Sequence, residues 1–165
     1  LFIYGEHRQF EQQLTRTAIA NARALAATLD RDLASIESGL KVLAVAPTLA
    51  KDDLEGFYQN AKDALPSQNV NNFVLIDPQG HQRINTLKPY SAQLPLLGGP
   101  PEIAEVVTKR KTVISDVFIG PVTGKPILAM GVPVMRGQKA AYSLNIGIFP
   151  DRIAQLMQTQ QLPSG

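Results

Sequence analysis

Residues 6–46 contain no proline and a single glycine, Gly39. Along them Leu14, Ala18, Ala22, Leu25, Leu29, Leu33, Ile36, Leu40 and Leu43 recur at steps of three and four. That spacing gathers small and apolar side chains on one stripe of an α-helix. Arg23, Asp30, Arg31, Asp32 and Glu37 fill much of the other faces. At 1.5 Å per residue the helix is roughly 60 Å long. The rest of the chain, once folded, does not need so long a helix to cover one face, so part of it is expected to project or pair with another helix.

Ala46-Pro47 ends this helix, because proline disfavours helical backbone in the residue before it. The run KDDLEGFYQNAKDALP (51–66) then predicts a shorter helix with Asp52 or Asp53 as its N-cap and Glu55 in the first turn. Leu54, Phe57, Tyr58, Ala61 and Leu65 form its inner face, and Pro66 closes it.

From Asn72 the period changes to two. Strands over 73–77 and 81–87 flank an Asp-Pro-Gln-Gly turn, a hairpin signal. A Pro/Gly-rich loop (88–101) and a short helix (102–110) follow. Strands over 113–118, 127–135 and 140–149 come next, then a final helix over 152–161. Five strands joined largely by hairpins predict an α+β fold: one antiparallel sheet with helices on its faces. A parallel nucleotide-binding sheet is disfavoured, since full crossover helices do not alternate with the strands. The expected division is 1–50 for the long helix, 51–149 for the sheet-bearing module and 150–165 for a C-terminal helix.

Composition removes several function classes. The 165 residues include no cysteine, which excludes disulfide frameworks, Cys-ligated metal and thiol nucleophiles. The net charge of +2 comes from scattered Lys and Arg, without the basic stripe that a nucleic-acid partner needs. There is no run of 18 apolar residues, so the chain itself is not expected to span a membrane. Leu1-Phe2-Ile3-Tyr4, apolar and without an initiator Met, could be the tail of a preceding membrane segment or an arbitrary boundary.

Catalytic patterns are equally sparse. His7 and His81 stand in no triad or metal spacing and are expected in solvent. Gly120–Lys125 (GPVTGK) ends like a phosphate loop but leads into Pro126 rather than a helix whose amides could cradle phosphate. Adjacent acids Asp52 and Asp53 point in different directions, and a helix cap accounts for them better than a cation site. No enzyme, metal or cofactor is expected.

The strand faces say more. On the last strand Tyr142, Leu144, Ile146 and Ile148 form a bulky face, whereas Ala141, Ser143, Asn145 and Gly147 form a small, partly polar one. Ser and Gly fill strands poorly and leave volume above the sheet. Covered by helices and the 88–101 loop, that volume becomes a pocket holding a few placed polar groups. The candidate ligand-binding residues are Arg83, Asn85, Ser115, Asp116 and Asn145, with Tyr90 and Phe118 as walls. Period two puts Arg83 and Asn85 on one face, and Arg83 would serve a carboxylate or phosphate through its planar fork.

The runs VLIDPQGHQRINT (74–86) and TVISDVFIGPVTGKPILAMGVPVMRGQKAAYSLNIGIFPDRIAQLM (112–157), behind a long helix, resemble Cache-type extracytoplasmic sensor domains, above all the double-Cache sensors of bacterial histidine kinases and related receptors. The segment from Ser115 to Pro126 carries most of that likeness. The resemblance implies a five-stranded PAS-like sheet packed on a long N-terminal helix outside the cytoplasmic membrane. It implies a homodimer through that helix, a transmembrane segment before it, and a second module beginning near residues 162–165. It also implies a small-molecule ligand, a small carboxylate being one option. The expected role is the periplasmic ligand sensor of an inner-membrane histidine kinase. The alternatives are the sensor of a chemoreceptor or diguanylate cyclase, or a dimerising scaffold without ligand. Amino-acid-binding members of the family place an aromatic residue close after the Arg. Here Arg83 is followed by Ile84, Asn85 and Thr86, and there is no Trp, which argues against an amino-acid ligand.

Overall fold

Pro47 decides where the long helix stops. Ala46 in front of it takes ψ 137°, the extended geometry that proline imposes on its predecessor. Helix α1 therefore spans Phe2–Ala44 and a separate turn of helix, α2 (Pro47–Ala50), begins at the proline. The computed structural model describes residues 2–68, 70–96 and 99–161. Residues 97–98 of the Pro/Gly-rich loop and 162–165, where a second module is expected, lie outside the described residues.

Asp53 caps α3 (Leu54–Gln68): its Oδ1 accepts the Gly56 N–H at 2.9 Å. Asp52 does not share the capping. It sits in the left-handed region at φ 57° and turns its carboxylate to the sheet instead. The helix runs two residues past Pro66, where closure was expected. Proline removes only one N–H from the last turn, and the Ser67 hydroxyl donates to Ala64 O at 2.9 Å.

The strands are β1 (Phe73–Ile76), β2 (Gln82–Asn85), β3 (Val113–Ile114), β4 (Phe118–Ile119), β5 (Pro126–Arg136) and β6 (Lys139–Ile148), with helix α4 (Pro101–Lys109) after β2 and α5 (Pro150–Gln161) at the end. They form one antiparallel sheet in the order β2-β1-β6-β5-β3, with β4 also on β5. The architecture is α+β and PAS-like, as expected. One strand differs: the third is broken into β3 and β4. Ser115 causes the break. Its hydroxyl donates to Asp116 O at 2.8 Å and accepts the Ala129 N–H at 2.9 Å, taking a ladder position that a carbonyl would fill.

Two compact units divide the described residues, 35–150 and 2–34 with 151–161. Among the described residues every buried apolar side chain, from Ile36 to Ile148, falls in the first. One face of the sheet there is bulky: Phe73, Leu75, Ile84, Met130, Val132, Leu144 and Ile146 are almost wholly buried, as are Leu40, Leu49 and Phe57 of the helices. Tyr142 on that face donates to Asp52 Oδ1 at 2.9 Å, and Arg136 donates to Leu49 O at 2.9 Å, which fixes α2 and the start of α3 on this side. The opposite face is covered by α4. Val74, Ile76 and Ala129 pack there on Ile103 and Val106, with Val113 and Phe118 alongside. In the second unit, Arg152 of α5 lies 3.9 Å from Asp32 of α1. Among the described residues no helix is long and apolar enough to cross a membrane.

Candidate functional site

Small residues on β5 and β6 hold α4 close to the sheet. A Cβ on Gly131 would overlap Asn145 Oδ1 and approach Val106 Cγ2 to 2.9 Å, and one on Gly147 would meet Asn72 Oδ1 at 2.7 Å. Glycine at these two points leaves room above the strands for amide side chains instead of methyl groups.

The amides form the floor of a cavity between the sheet, the start of α4 and the Gly120–Thr123 turn. Asn72 Nδ2 donates to Asn85 Oδ1 at 3.3 Å, and Asn85 Nδ2 donates to Gln82 Oε1 at 3.1 Å. Asn72 Oδ1 accepts the Gly147 N–H at 3.2 Å, and Asn85 Oδ1 the Leu87 N–H at 3.1 Å. These three side chains satisfy one another, as buried polar groups must. Asn145 is the exception. Its Nδ2 donates to Ser143 Oγ at 2.9 Å and to Ser143 O at 3.1 Å, but its Oδ1, fully buried, has no partner among the described residues. An orphaned acceptor of this kind costs about 1–3 kcal/mol.

Above the floor the walls are apolar, with Val74, Ile76, Ile103, Phe118 and Ile127 among them. The cavity volume is about 30 Å³. That is room for one or two waters. A larger solute fits only when α4 or the Gly120–Thr123 turn moves off the sheet.

Of the residues expected at a site, Asn85, Phe118 and Asn145 meet in this cavity. Arg83 does not. Across β1 and β2, Val74 faces Asn85, Leu75 faces Ile84 and Ile76 faces Gln82, so Arg83 is the extra residue of a β-bulge. The bulge inverts the period-two expectation: Gln82 shares the cavity face with Asn85, and Arg83 is exposed beside Asp77, 3.7 Å from Oδ2. Without Arg83 the expected carboxylate loses its cation. Tyr90 packs against Tyr58 on α3 with ring centres 5.8 Å apart, away from the cavity. Ser115 is spent on the β3–β4 break, and Asp116 is exposed. Sequence reasoning missed Asn72, Gln82 and Thr123. The available signal was the run of amides beside apolar strand positions, Asn72, Gln82, Asn85 and Asn145.

A second polar cluster stands on the other face. Arg136 donates to both carboxylate oxygens of Asp52 and lies over the Tyr142 ring, 5.6 Å from its centre. The hydrogen bond from Arg136, then that from Tyr142, holds the Asp52 carboxyl at a pKa of about 2. Burial and the hydrogen bond to Asp52 push the Tyr142 hydroxyl up. His7 and His81 are exposed, with His81 Nδ1 3.4 Å from Asp77 Oδ2. Among the described residues no three His, Cys, Asp or Glu side chains gather as a metal site.

The sheet order and the helix α4 across one of its faces define a PAS-like α+β fold, which solved ligand-binding and sensor domains share. The ligand-binding domain of the Pseudomonas aeruginosa amino-acid chemoreceptor PctC, in complex with GABA, superposes with a TM-score of 0.58 at 16% identity, covering 82% of this chain and 63% of that one. The Escherichia coli DcuS sensor domain gives 0.62 at 14%, covering 78% of this chain and 96% of that one. The sensor domain of the Vibrio cholerae histidine kinase DctB gives 0.58 at 13%, covering 89% and 60%. The chain thus spans about 60% of the PctC and DctB domains and nearly all of DcuS. No family model matches the sequence, and no curated protein matches it.

Proposed function

We propose that this chain is the ligand-sensing extracytoplasmic domain of a membrane signalling protein, a periplasmic sensor histidine kinase first, a chemoreceptor or diguanylate cyclase second. The observation that carries the reading is the cavity between sheet and α4, floored by buried amides, on the fold of domains that bind small molecules. Such a domain needs no chemistry of its own. Since about 30 Å³ does not admit an organic solute, ligand entry parts α4 or the Gly120–Thr123 turn from the sheet. A ligand that prefers the parted arrangement shifts the population toward it. Residues 35–44 of α1 belong to the same compact unit and are continuous with the rest of that helix, which offers the shift a route along it.

Dimerisation through α1 belongs to the same proposal. Leu14, Ala18 and Ala22 of its stripe are exposed, with Phe10 one turn earlier. The domain division 1–50, 51–149 and 150–165 follows the same logic, placing the sensor between two helical connections. The small size of the cavity favours one rival, a dimerising scaffold that binds nothing.

A thermal-shift screen decides between them, since a ligand of the native state raises Tm by mass action. Small carboxylates, amino acids, amines, amides and purines are tested on the wild type, on Ala129→Val and on Arg83→Ala. Ala129 lines the cavity floor beside Ile103 and Val106, so Val there fills the space at an overpacking cost of about 1–3 kcal/mol, which the melt of the unliganded variant reads. The expected hit is lost in Ala129→Val and kept in Arg83→Ala. A hit that survives Ala129→Val moves the site elsewhere, and a blank screen of well-folded protein supports the scaffold.

A further inference from the structure

The cavity wall carries no charge. Among the described residues its lining is apolar, glycine, proline, threonine and amide, without one Asp, Glu, Lys, Arg or His. Burying an ionised group in such surroundings is costly unless a counter-charge or several aimed dipoles meet it. The start of α4 borders the cavity and is the obvious place to look for them, since helix N-termini bind anions through free N–H groups. Here that end is disarmed. Its N-cap Pro100, which lines the cavity, and its first residue Pro101 have no N–H, and the Ile103 N–H is already given to Pro100 O at 3.0 Å. Glu102, in the same turn, does not line the cavity.

A ligand cation fares no better inside, because no carboxylate lines the cavity. What the floor does offer, once α4 parts from the sheet, is one acceptor without a partner among the described residues, since Asn145 Oδ1 lies at the contact of Gly131 with Val106 of α4. Asn72, Gln82 and Asn85 are already bonded to each other, while Asn145 Oδ1, from a residue 3% exposed, accepts nothing. We infer that the cavity selects an uncharged solute: a compact apolar body against Val74, Ile103 and Phe118, and a neutral N–H or O–H donor directed at Asn145 Oδ1. The inference rests on the sensor reading and narrows it to one ligand class, distinct from the amino acids and GABA bound by structurally similar chemoreceptor domains.

Three probes of one skeleton test it: isovaleramide, isovalerate and L-valine. Each is titrated into the full chain by amide NMR, following Gly131, Asn145 and Gly147. Isovaleramide is expected to shift these amides with a Kd about tenfold or more below that of either charged probe, because only it enters without an unpaired charge. Asn145→Leu abolishes that preference. Asn145→Asp transfers it to isopentylamine, whose cation the new carboxylate meets. If neither variant folds, the wild-type contrast between isovaleramide and isovalerate decides.

Tighter binding of isovalerate or L-valine with the same cavity shifts overturns the inference and leaves the sensor reading standing. Isovaleramide bound undiminished by Asn145→Leu overturns the role of Asn145. If none of the three registers, the broad screen decides. A charged hit lost in Ala129→Val overturns the inference, an uncharged one upholds it, and a blank screen removes both the inference and the reading beneath it.

Discussion

Asp52 joins a backbone constraint to an electrostatic one. At φ 57° it occupies a region that side chains other than Gly, Asn and Asp rarely adopt, and its carboxylate receives Arg136 and Tyr142 from the sheet. Its pKa falls from 3.8 to about 2 on folding. The sign follows directly. A carboxyl with a depressed folded pKa adds stability that is fully present above its unfolded value, and that stability is lost as pH falls from about 4 toward about 2. Asp52→Asn keeps the tolerance for left-handed backbone and removes the charge. It is expected to lower Tm at neutral pH and to flatten the decline between pH 4 and pH 2, the difference from wild type vanishing at the acid end. Thermal melts across that range check it, and a constant difference at every pH would refute it.

At the scale of elements, the contact of α4 with β5 and β6 depends on a missing side chain. Gly131→Ala puts a methyl where Asn145 Oδ1 lies and 2.9 Å from Val106 Cγ2. Asn145 and Val106 are both almost wholly buried, so the amide of one and the helix carrying the other both have to shift. Overpacking of this sort costs about 1–3 kcal/mol, which for a chain of this size lowers Tm by roughly 2–4 °C per kcal/mol. A calorimetric scan of Gly131→Ala reads it, and an unchanged Tm would show that the interface is looser than drawn. Gly124→Ala, with nothing within 4 Å of its Cβ position, serves as the comparison for backbone strain alone, since its φ of 65° also favours glycine.

The same scale shows what was readable beforehand. The helix stripe, the hairpin at Gly80 and the small face of β6 are local patterns, and each predicts its element. The bulge at Arg83 is not local. Neither Gly nor Pro marks it, and it exists because Gln82 and Ile84 must both answer the register of β1. One uncounted residue was enough to carry Arg83 off the expected face and bring Gln82 onto it. The break at Ser115 is hidden for a similar reason: a hydroxyl replaces a carbonyl only once β5 lies opposite. Asn85 and Asn145 were legible as polar groups on strands, whereas the bonding that occupies one and orphans the other comes from the assembled sheet.

For the whole molecule, the distribution of burial separates two jobs. Among the described residues the buried apolar core begins at Ile36 and ends at Ile148, while Phe10 and Leu14 of α1 stay 61% and 56% exposed. A helix of this length with an apolar stripe gains little by itself in water, since most helical stability in proteins comes from packing. A second copy of the stripe would supply that packing. Residues 35–150 expressed alone should therefore keep the cavity and most of the melting temperature, and sediment as a monomer. The full chain should sediment as a dimer at tens of micromolar, and Leu14→Glu, which sets like charges face to face in the paired stripe, should shift it toward monomer without moving the Tm of the sheet-bearing unit. Sedimentation velocity and melting on the same three samples separate the two jobs. A monomeric full chain would confine the proposed dimer to the intact protein. A dimeric 35–150 fragment would place the interface on the sheet-bearing unit and remove α1 from it.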